Sequence, residues 1–491
     1  MTTTIVGPTW SVRGSETSGG RFPLQVEQAV SNRVAYLAPG VTTVTPHARY
    51  FALHGLVASE CASRSLSVPD AQDLMRRCEV VMAAVSALDS APRPSVYARP
   101  HGAGKLQAVI SGADLDVATL STPGTTGYSL AKWGFWGAYA GSETSLGILR
   151  RGRSPTPGKR YNDASARHAL GSILALAEQP CLSATTLAGA ANELSLYRCA
   201  TNPDGPWLAA LFCGGEGKPN QLRRSTLQLI ARVFDTHPVE ALDRDVSAAL
   251  MFGQFVSTDP LAVSSQVANT WRGVLLRNYS VGAWRRLWAW LVDQIYDQKA
   301  ATIETLASVF ADHLPDGTVA DLVAGIPELF DVSGNPAPVE PALRTTDCPI
   351  PHRELQVLAA GAGRVDRLDG ATATAFGRSH ADDLTPAWVR HRLTDSATQS
   401  LRDFGIQLVR DVMAKSQRVA MSKTVIREDG TLWIPSRLHQ RGEELIAIAR
   451  EGSGDVGTRL LQLAVNAAAC GVFDVSGPTW RVTDQGRDLL D

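Results

Sequence analysis

The sequence predicts a mainly α fold, a multi-domain helical protein ending in a winged helix-turn-helix-like module. Three observations predict it. Apolar residues recur at three-to-four spacing along much of the chain, helix-start residues precede those runs, and residues 456–491 read in order as helix, hairpin and capped short helix. A chain of 491 residues holds about three domains at roughly 100–200 residues each.

The elements follow in order. Thr45 before Pro46 reads as an N-cap followed by proline in the first turn, opening a helix through Tyr50, Phe51, Leu53, Leu56 and Val57. Ser67, Pro69 and Asp70 mark a second start, and Leu74, Cys78, Val81, Met82, Val85 and Leu88 form its buried stripe. Residues 106–120 are apolar and fit helix or strand. In 121–149, the run Trp133-Gly134-Phe135-Trp136-Gly137-Ala138-Tyr139 interleaves rings with glycine, which suits a structural plug or a binding surface. Residues 150–160, rich in Arg, Pro and Gly, read as an exposed linker. Helical patterns fill 161–330, the clearest being Val281, Trp284, Leu287, Trp288, Leu291 and Ile295. The prolines of 331–351 read as a second linker.

The predicted domains are therefore 1–150, 161–330 and 352–491. In the last, a long helix is expected over about 384–416, and Glu428-Asp429-Gly430 between Val425-Ile426 and Leu432-Trp433 signals a hairpin. A helix over 456–470 ends at Gly471, Val472–Val475 pairs with Trp480–Val482, and Thr483-Asp484 starts the final helix.

Composition narrows the function. A net charge of −1 excludes a global field that would draw the chain onto nucleic acid or an anionic membrane. The start, Met1-Thr2-Thr3-Thr4-Ile5-Val6, lacks a signal-peptide pattern, and no apolar run is long enough for a bilayer, so a cytoplasmic protein without membrane contact is expected. The seven cysteines form no CxxC pair and read as scattered core residues in a reducing compartment.

The candidate chemistry is sparse. Segment 150–168 carries six basic residues and one acid, and 401–441 carries eight basic and four acidic. These patches nominate Arg150, Arg151, Arg153, Lys159 and Arg160, and Arg410, Lys415, Arg418, Lys423 and Arg427, as phosphate contacts, with the bland alternative a solvated surface. If the patches share a face, they would track a backbone without reading sequence. In the last long helix, Arg459, Gln462 and Asn466 are expected to face outward, where Gln and Asn suit adenine edges. Yet 401–491 balances 12 basic against 12 acidic residues, which equally suits a protein-contact module. Gly104-Lys105 and Gly217-Lys218 fail as phosphate loops, since Arg99 and Phe212 occupy the upstream glycine position and Leu106 and Pro219 follow the lysine. Pro203-Asp204 followed by Glu216-Gly217-Lys218 matches a PD…ExK nuclease string, in which Asp204 and Glu216 would hold magnesium and Lys218 the oxyanion. Glycines before Glu216 and Pro219 after Lys218 speak against the required strands. His47 and His54, seven apart, read as packing histidines near Tyr50. No metal site and no cofactor are expected.

Residues 37–50, Leu-Ala-Pro-Gly-Val-Thr-Thr-Val-Thr-Pro-His-Ala-Arg-Tyr, together with Gln417-Arg418-Val419-Ala420, Glu428-Asp429-Gly430 and the ending, resemble uncharacterised bacterial helical/winged-helix families of phage-defence islands. The resemblance implies a setting, an accessory component of a defence system, and carries no catalytic residue. The resulting expectation is a non-enzymatic scaffold or adaptor in an antiviral-defence or DNA-processing assembly. It would contact other protein subunits, with auxiliary DNA or RNA contact. The alternatives are a PD-(D/E)xK-type nuclease and a winged-helix transcriptional regulator.

Overall fold

The computed structural model describes residues 23–377, 383–426, 430 and 432–491. The elements used below are, in chain order, α1 (Arg49–Ser63), α2 (Val68–Leu88), α3 (Trp136–Leu146), β1 (Leu149–Arg150), β2 (Thr156–Pro157), α4 (Asp163–Leu170), α5 (Asp204–Cys213), α6 (Lys218–Thr236), α7 (Gln266–Gln298), β3 (Ala301–Thr302), α8 (Ile303–Asp312) and α9 (Val319–Ala324). They continue with α10 (Ile350–Gly363), α11 (Gly370–Gly377), α12 (Pro386–Asp395), α13 (Leu401–Ser422), β4 (Val425–Ile426), β5 (Leu432–Trp433), β6 (Leu438–Arg441), β7 (Glu444–Ala447), α14 (Leu460–Ala469), β8 (Phe473–Asp474), β9 (Arg481–Val482) and α15 (Asp484–Leu490). The mainly α class therefore holds. Among the described residues no helix is long and apolar enough to cross a membrane.

The chain divides into two compact units that do not follow the expected three parts. A middle unit comprises residues up to Arg33 and Ser247–Gly457, and a terminal unit comprises Val34–Val246 with Thr458–Asp491. The segments 150–160 and 331–351, read as linkers, lie inside the terminal and middle units respectively. The first is a hairpin, Leu149 opposite Pro157 and Arg150 opposite Thr156. Its foot is fixed by backbone: Gly158 donates to the Ile148 carbonyl, and a Cβ on Gly158 would sit 2.2 Å from the Gly147 oxygen.

In the terminal unit, α1 packs on α2 and α4, and α5 packs on α1, α4 and α6. Ser67 caps α2 as predicted. Thr45 does not cap α1, which begins at Arg49. Its hydroxyl instead closes a turn with Thr42. The last residues adopt the predicted order: α14, the β8–β9 hairpin with Phe473 opposite Val482, and α15 capped by Thr483. They pack on α5 and α6 of the same unit rather than completing a separate 352–491 domain. Phe234 of α6 meets Phe473 and Trp480, which explains the choice: the hairpin's apolar face is buried against α6. Cys199 and Cys470 approach to 4.0 Å as free thiols.

In the middle unit, the 33-residue α7 is the spine, with α10 and α11 packed along it. The predicted stripe from Val281 to Ile295 is core, each side chain at most 2% exposed. Gly273 lets α11 approach, since a Cβ there would lie 2.3 Å from the Thr372 oxygen. The long helix expected over 384–416 is two, α12 and α13. The chain between them is drawn aside by pairing with the start of α9, where Val319 N–H donates to Gln399 and Ala320 N–H to Ala397. The β4–β5 hairpin forms as the Asp-Gly signal predicts, Val425 opposite Trp433; Glu428 and Asp429 lie outside the described residues. β7 pairs with β6 and with β3.

Arg277 of α7 is a buried cation. It is 2% exposed, its Nε and Nη1 meet no acceptor among the described residues, and burial pulls its pKa down to about 9. An unmet charge in an apolar interior is destabilising. Arg277→Met should therefore raise stability by about 1–4 kcal/mol, read as a higher urea midpoint. A lower midpoint would mean that the guanidinium has an acceptor in solution.

Candidate functional site

The densest polar chemistry in the terminal unit lies where α1, α2 and α3 meet. His54 of α1 is fully buried with a carboxylate on each ring nitrogen: Glu79 Oε1 of α2 is 2.9 Å from Nε2, and Glu143 Oε1 of α3 is 2.5 Å from Nδ1. The remaining carboxylate oxygens are also met. Tyr128 O–H and Phe135 N–H (2.9 Å) donate to Glu79 Oε2, and Trp136 Nε1–H donates to Glu143 Oε2 at 2.9 Å. Burial alone would lower the His54 pKa, but the two glutamates outweigh it and hold it up at about 9. The imidazolium is the form that donates to both acids.

The Gly-aromatic run is the plug over this cluster. Gly134 adopts φ +59°, and a Cβ there would lie 2.0 Å from the Tyr128 hydroxyl and 2.1 Å from Glu79 Oε2. Only glycine lets the backbone approach that closely. Phe135 stacks on His101 at 4.3 Å, and Tyr139 contacts Tyr50 and His54 edge-on. His47 packs on Tyr50 as the sequence suggests, and its Nε2 lies 3.1 Å from the Arg99 carbonyl. The pKa values of His47 and His101 are each pushed down to about 4 by burial, so these rings are neutral. The Tyr50 hydroxyl and His101 Nε2 find no hydrogen-bond partner among the described residues. Sequence reading missed the glutamates. The available signal was a carboxylate inside an apolar stripe, Glu79 between Cys78 and Val80, and Glu143 in the glycine-aromatic segment.

The nuclease-like string is not assembled as a site. Asp204 opens α5, so the run to Phe212 is helix and not the strand that string requires. Its carboxylate is fully buried and bidentate on Arg49: Nε to Oδ2 is 2.8 Å and Nη2 to Oδ1 is 3.1 Å. Arg49 Nη1 also donates to the Ser195 carbonyl at 2.7 Å. Glu216 lies exposed in a bend, and Lys218 begins α6 with its ammonium over the Tyr36 ring. Arg160 and Arg223 donate to the carbonyls closing α5 nearby. Among the described residues no group of three or more His, Cys, Asp or Glu is placed to hold a metal ion.

The two cationic patches fall in different units and in different states. On α13, Arg410 is bidentate on Glu304, while Lys415 and Arg418 share Asp383. Lys423 is half-buried, and burial lowers its pKa. Arg427 lies outside the described residues. In the terminal unit, Arg160 is structural, bonded to Asn220 and Gly214. Arg150, Arg151, Arg153 and Lys159 are exposed on the β1–β2 hairpin, and none of the ion pairs among the described residues engages them. On α14, Asn466 does not face outward: it is buried, and its Nδ2 donates to the Thr45 carbonyl. Arg459 donates to the Val41 carbonyl, and Gln462 is half-buried.

Compared with protein-family models, curated proteins and solved structures, the chain matches none.

Two outcomes follow from this geometry. Asp204→Ala would strand Arg49 as a buried unpaired charge and should cost about 3–5 kcal/mol, read by chemical denaturation; a loss within error would show that the pair is not structural. The histidines set a pH profile. His54, held above its unfolded pKa of 6.5, contributes stability fully below 6.5 and loses it as pH rises through about 9. His47 and His101, held below 6.5, contribute above 6.5, and that contribution is lost as pH falls toward about 4. Their combined effect should place maximal stability near pH 6.5, with a shallower acid limb in His101→Gln. A profile without an alkaline limb between 6.5 and 9 would contradict the charged Glu–His–Glu cluster.

Proposed function

We propose that the protein is a non-enzymatic scaffold or adaptor that touches a nucleic-acid backbone through the β1–β2 hairpin. The setting implied by the sequence resemblance is a bacterial antiviral-defence or DNA-processing assembly. One observation carries the reading. Arg150, Arg151 and Arg153 on the hairpin and Lys159 just after it are exposed and form no ion pair among the described residues, whereas the cations of α13 are largely neutralised by acids of their own unit. Exposed arginines on a short loop with an anchored foot suit phosphate oxygens and carry no sequence code. The helix, hairpin and helix at 460–490 correspond to the back half of a winged helix. With Asn466 turned to the Thr45 carbonyl, that module serves packing better than base reading.

Each phosphate neutralised on a duplex contributes about −0.9 to the slope of log affinity against log salt. Four hairpin contacts predict a slope of about −3 to −4, falling to about −1 when Arg150, Arg151 and Arg153 become Ala. Gel shifts over a salt series read both values, and affinity should fall equally for unrelated sequences. Gln462→Ala should leave binding unchanged. Absence of binding at low salt, or selectivity that depends on Gln462, would refute the proposal.

A further inference from the structure

The middle unit carries a trough. It lies between α9, α10 and α12 and encloses about 490 Å³. Its deepest lining is Ala359, Ala362 and Leu393, each at most 7% exposed, and its lip is Val323, 46% exposed, with Ala324. Asp366 and Arg390 form an ion pair at the edge. The alanine-rich lining keeps the trough wide and apolar.

The trough is preformed. A reciprocal capping box between Thr318 and Asp321 starts α9, and α9 is tied to the 397–400 segment by backbone bonds. The end of α10 is pinned by Arg364, fully buried, with Nε and Nη2 each 2.7 Å from a Glu340 oxygen and further bonds to the Leu329 and Ala337 carbonyls. An occupant therefore meets walls that need no ordering, which favours affinity.

Charge identifies the occupant. Residues 301–343 contain seven acids and no Lys or Arg. Glu304 is matched by Arg410, Asp312 by Arg402 and Glu340 by Arg364. Asp316, Asp321 and Glu328, around α9, are exposed and form no ion pair among those described. Unpaired acids thus lie in and beside α9, the helix that supplies Ala320, Val323 and Ala324 to the lining. We propose that this trough docks a basic amphipathic helix of a partner protein, its apolar stripe against Ala359, Ala362 and Leu393 and its Lys or Arg residues toward Asp316, Asp321 and Glu328. The proposal rests on the adaptor reading to the extent that it names the partner-facing surface.

The test uses the full chain and a fluorescein-labelled peptide of about 18 Leu and Lys residues with Leu at helical three-to-four spacing, read by anisotropy. Binding is expected, weakened about tenfold or more by Ala324→Trp, which fills the trough from its exposed lip, and about threefold or more by Asp316→Lys with Glu328→Lys. A Leu–Glu peptide of the same pattern should not bind. The hairpin variant lacking Arg150, Arg151 and Arg153 should bind the peptide normally, so failure here and failure of the nucleic-acid reading are distinguishable. Equal binding by Ala324→Trp, equal binding of the Leu–Glu peptide, or none at about 1 mM peptide overturns the proposal. So does self-association of the chain that Ala324→Trp abolishes, which would make a second copy the occupant.

Discussion

The terminal unit depends on the ion pair between Arg49 and Asp204. It joins the first turn of α1 to the first turn of α5 across 155 residues of sequence, with both side chains fully buried. A guanidinium taken out of water needs its hydrogen-bond valences met, and Arg49 meets them with two carboxylate oxygens and the Ser195 carbonyl. α5, once seated, is the surface on which α6, α14 and α15 pack. The pair thus ties the N-terminal helices to the last residues of the chain, and it occupies the carboxylate that would otherwise pass for a metal ligand.

The same rule governs other buried charges, Arg277 excepted. His54 is held between Glu79 and Glu143, and Arg364 between Glu340 and two carbonyls. Arg223 is fully buried without a carboxylate, but it donates to several carbonyls and to Asn220, and burial lowers its pKa to about 10. In each case the geometry is fixed by complete hydrogen bonding, so the charged groups hold helices together instead of facing a substrate. Surface cations divide by the same accounting. Those of α13 lie against acids and add little net charge, whereas those of the β1–β2 hairpin face solvent.

Much of the helical architecture was legible because its signals are local. The Trp284 stripe, the Ser67 cap and the Asp-Gly hairpin each depend on residues within a few turns of one another. The final helix, hairpin and helix were legible for the same reason. The break between α12 and α13 was not, because it is imposed by backbone bonds from α9, some 80 residues upstream in order. The glutamates around His54 were hidden for an equivalent reason: each looks like an interruption of an apolar stripe until the helices are brought together.

The sequence by itself determined the mainly helical class, the terminal hairpin order and the weakness of the nuclease string, since periodicity, caps and glycine or proline placement act over short range. Tertiary structure alone decided that residues 458–491 complete the unit begun at Val34, that Asn466 turns inward, and that the two basic patches differ in their pairing. Those outcomes rest on which side chains meet across tens to hundreds of residues, and the energy of such a meeting depends on burial and distance that no local pattern encodes.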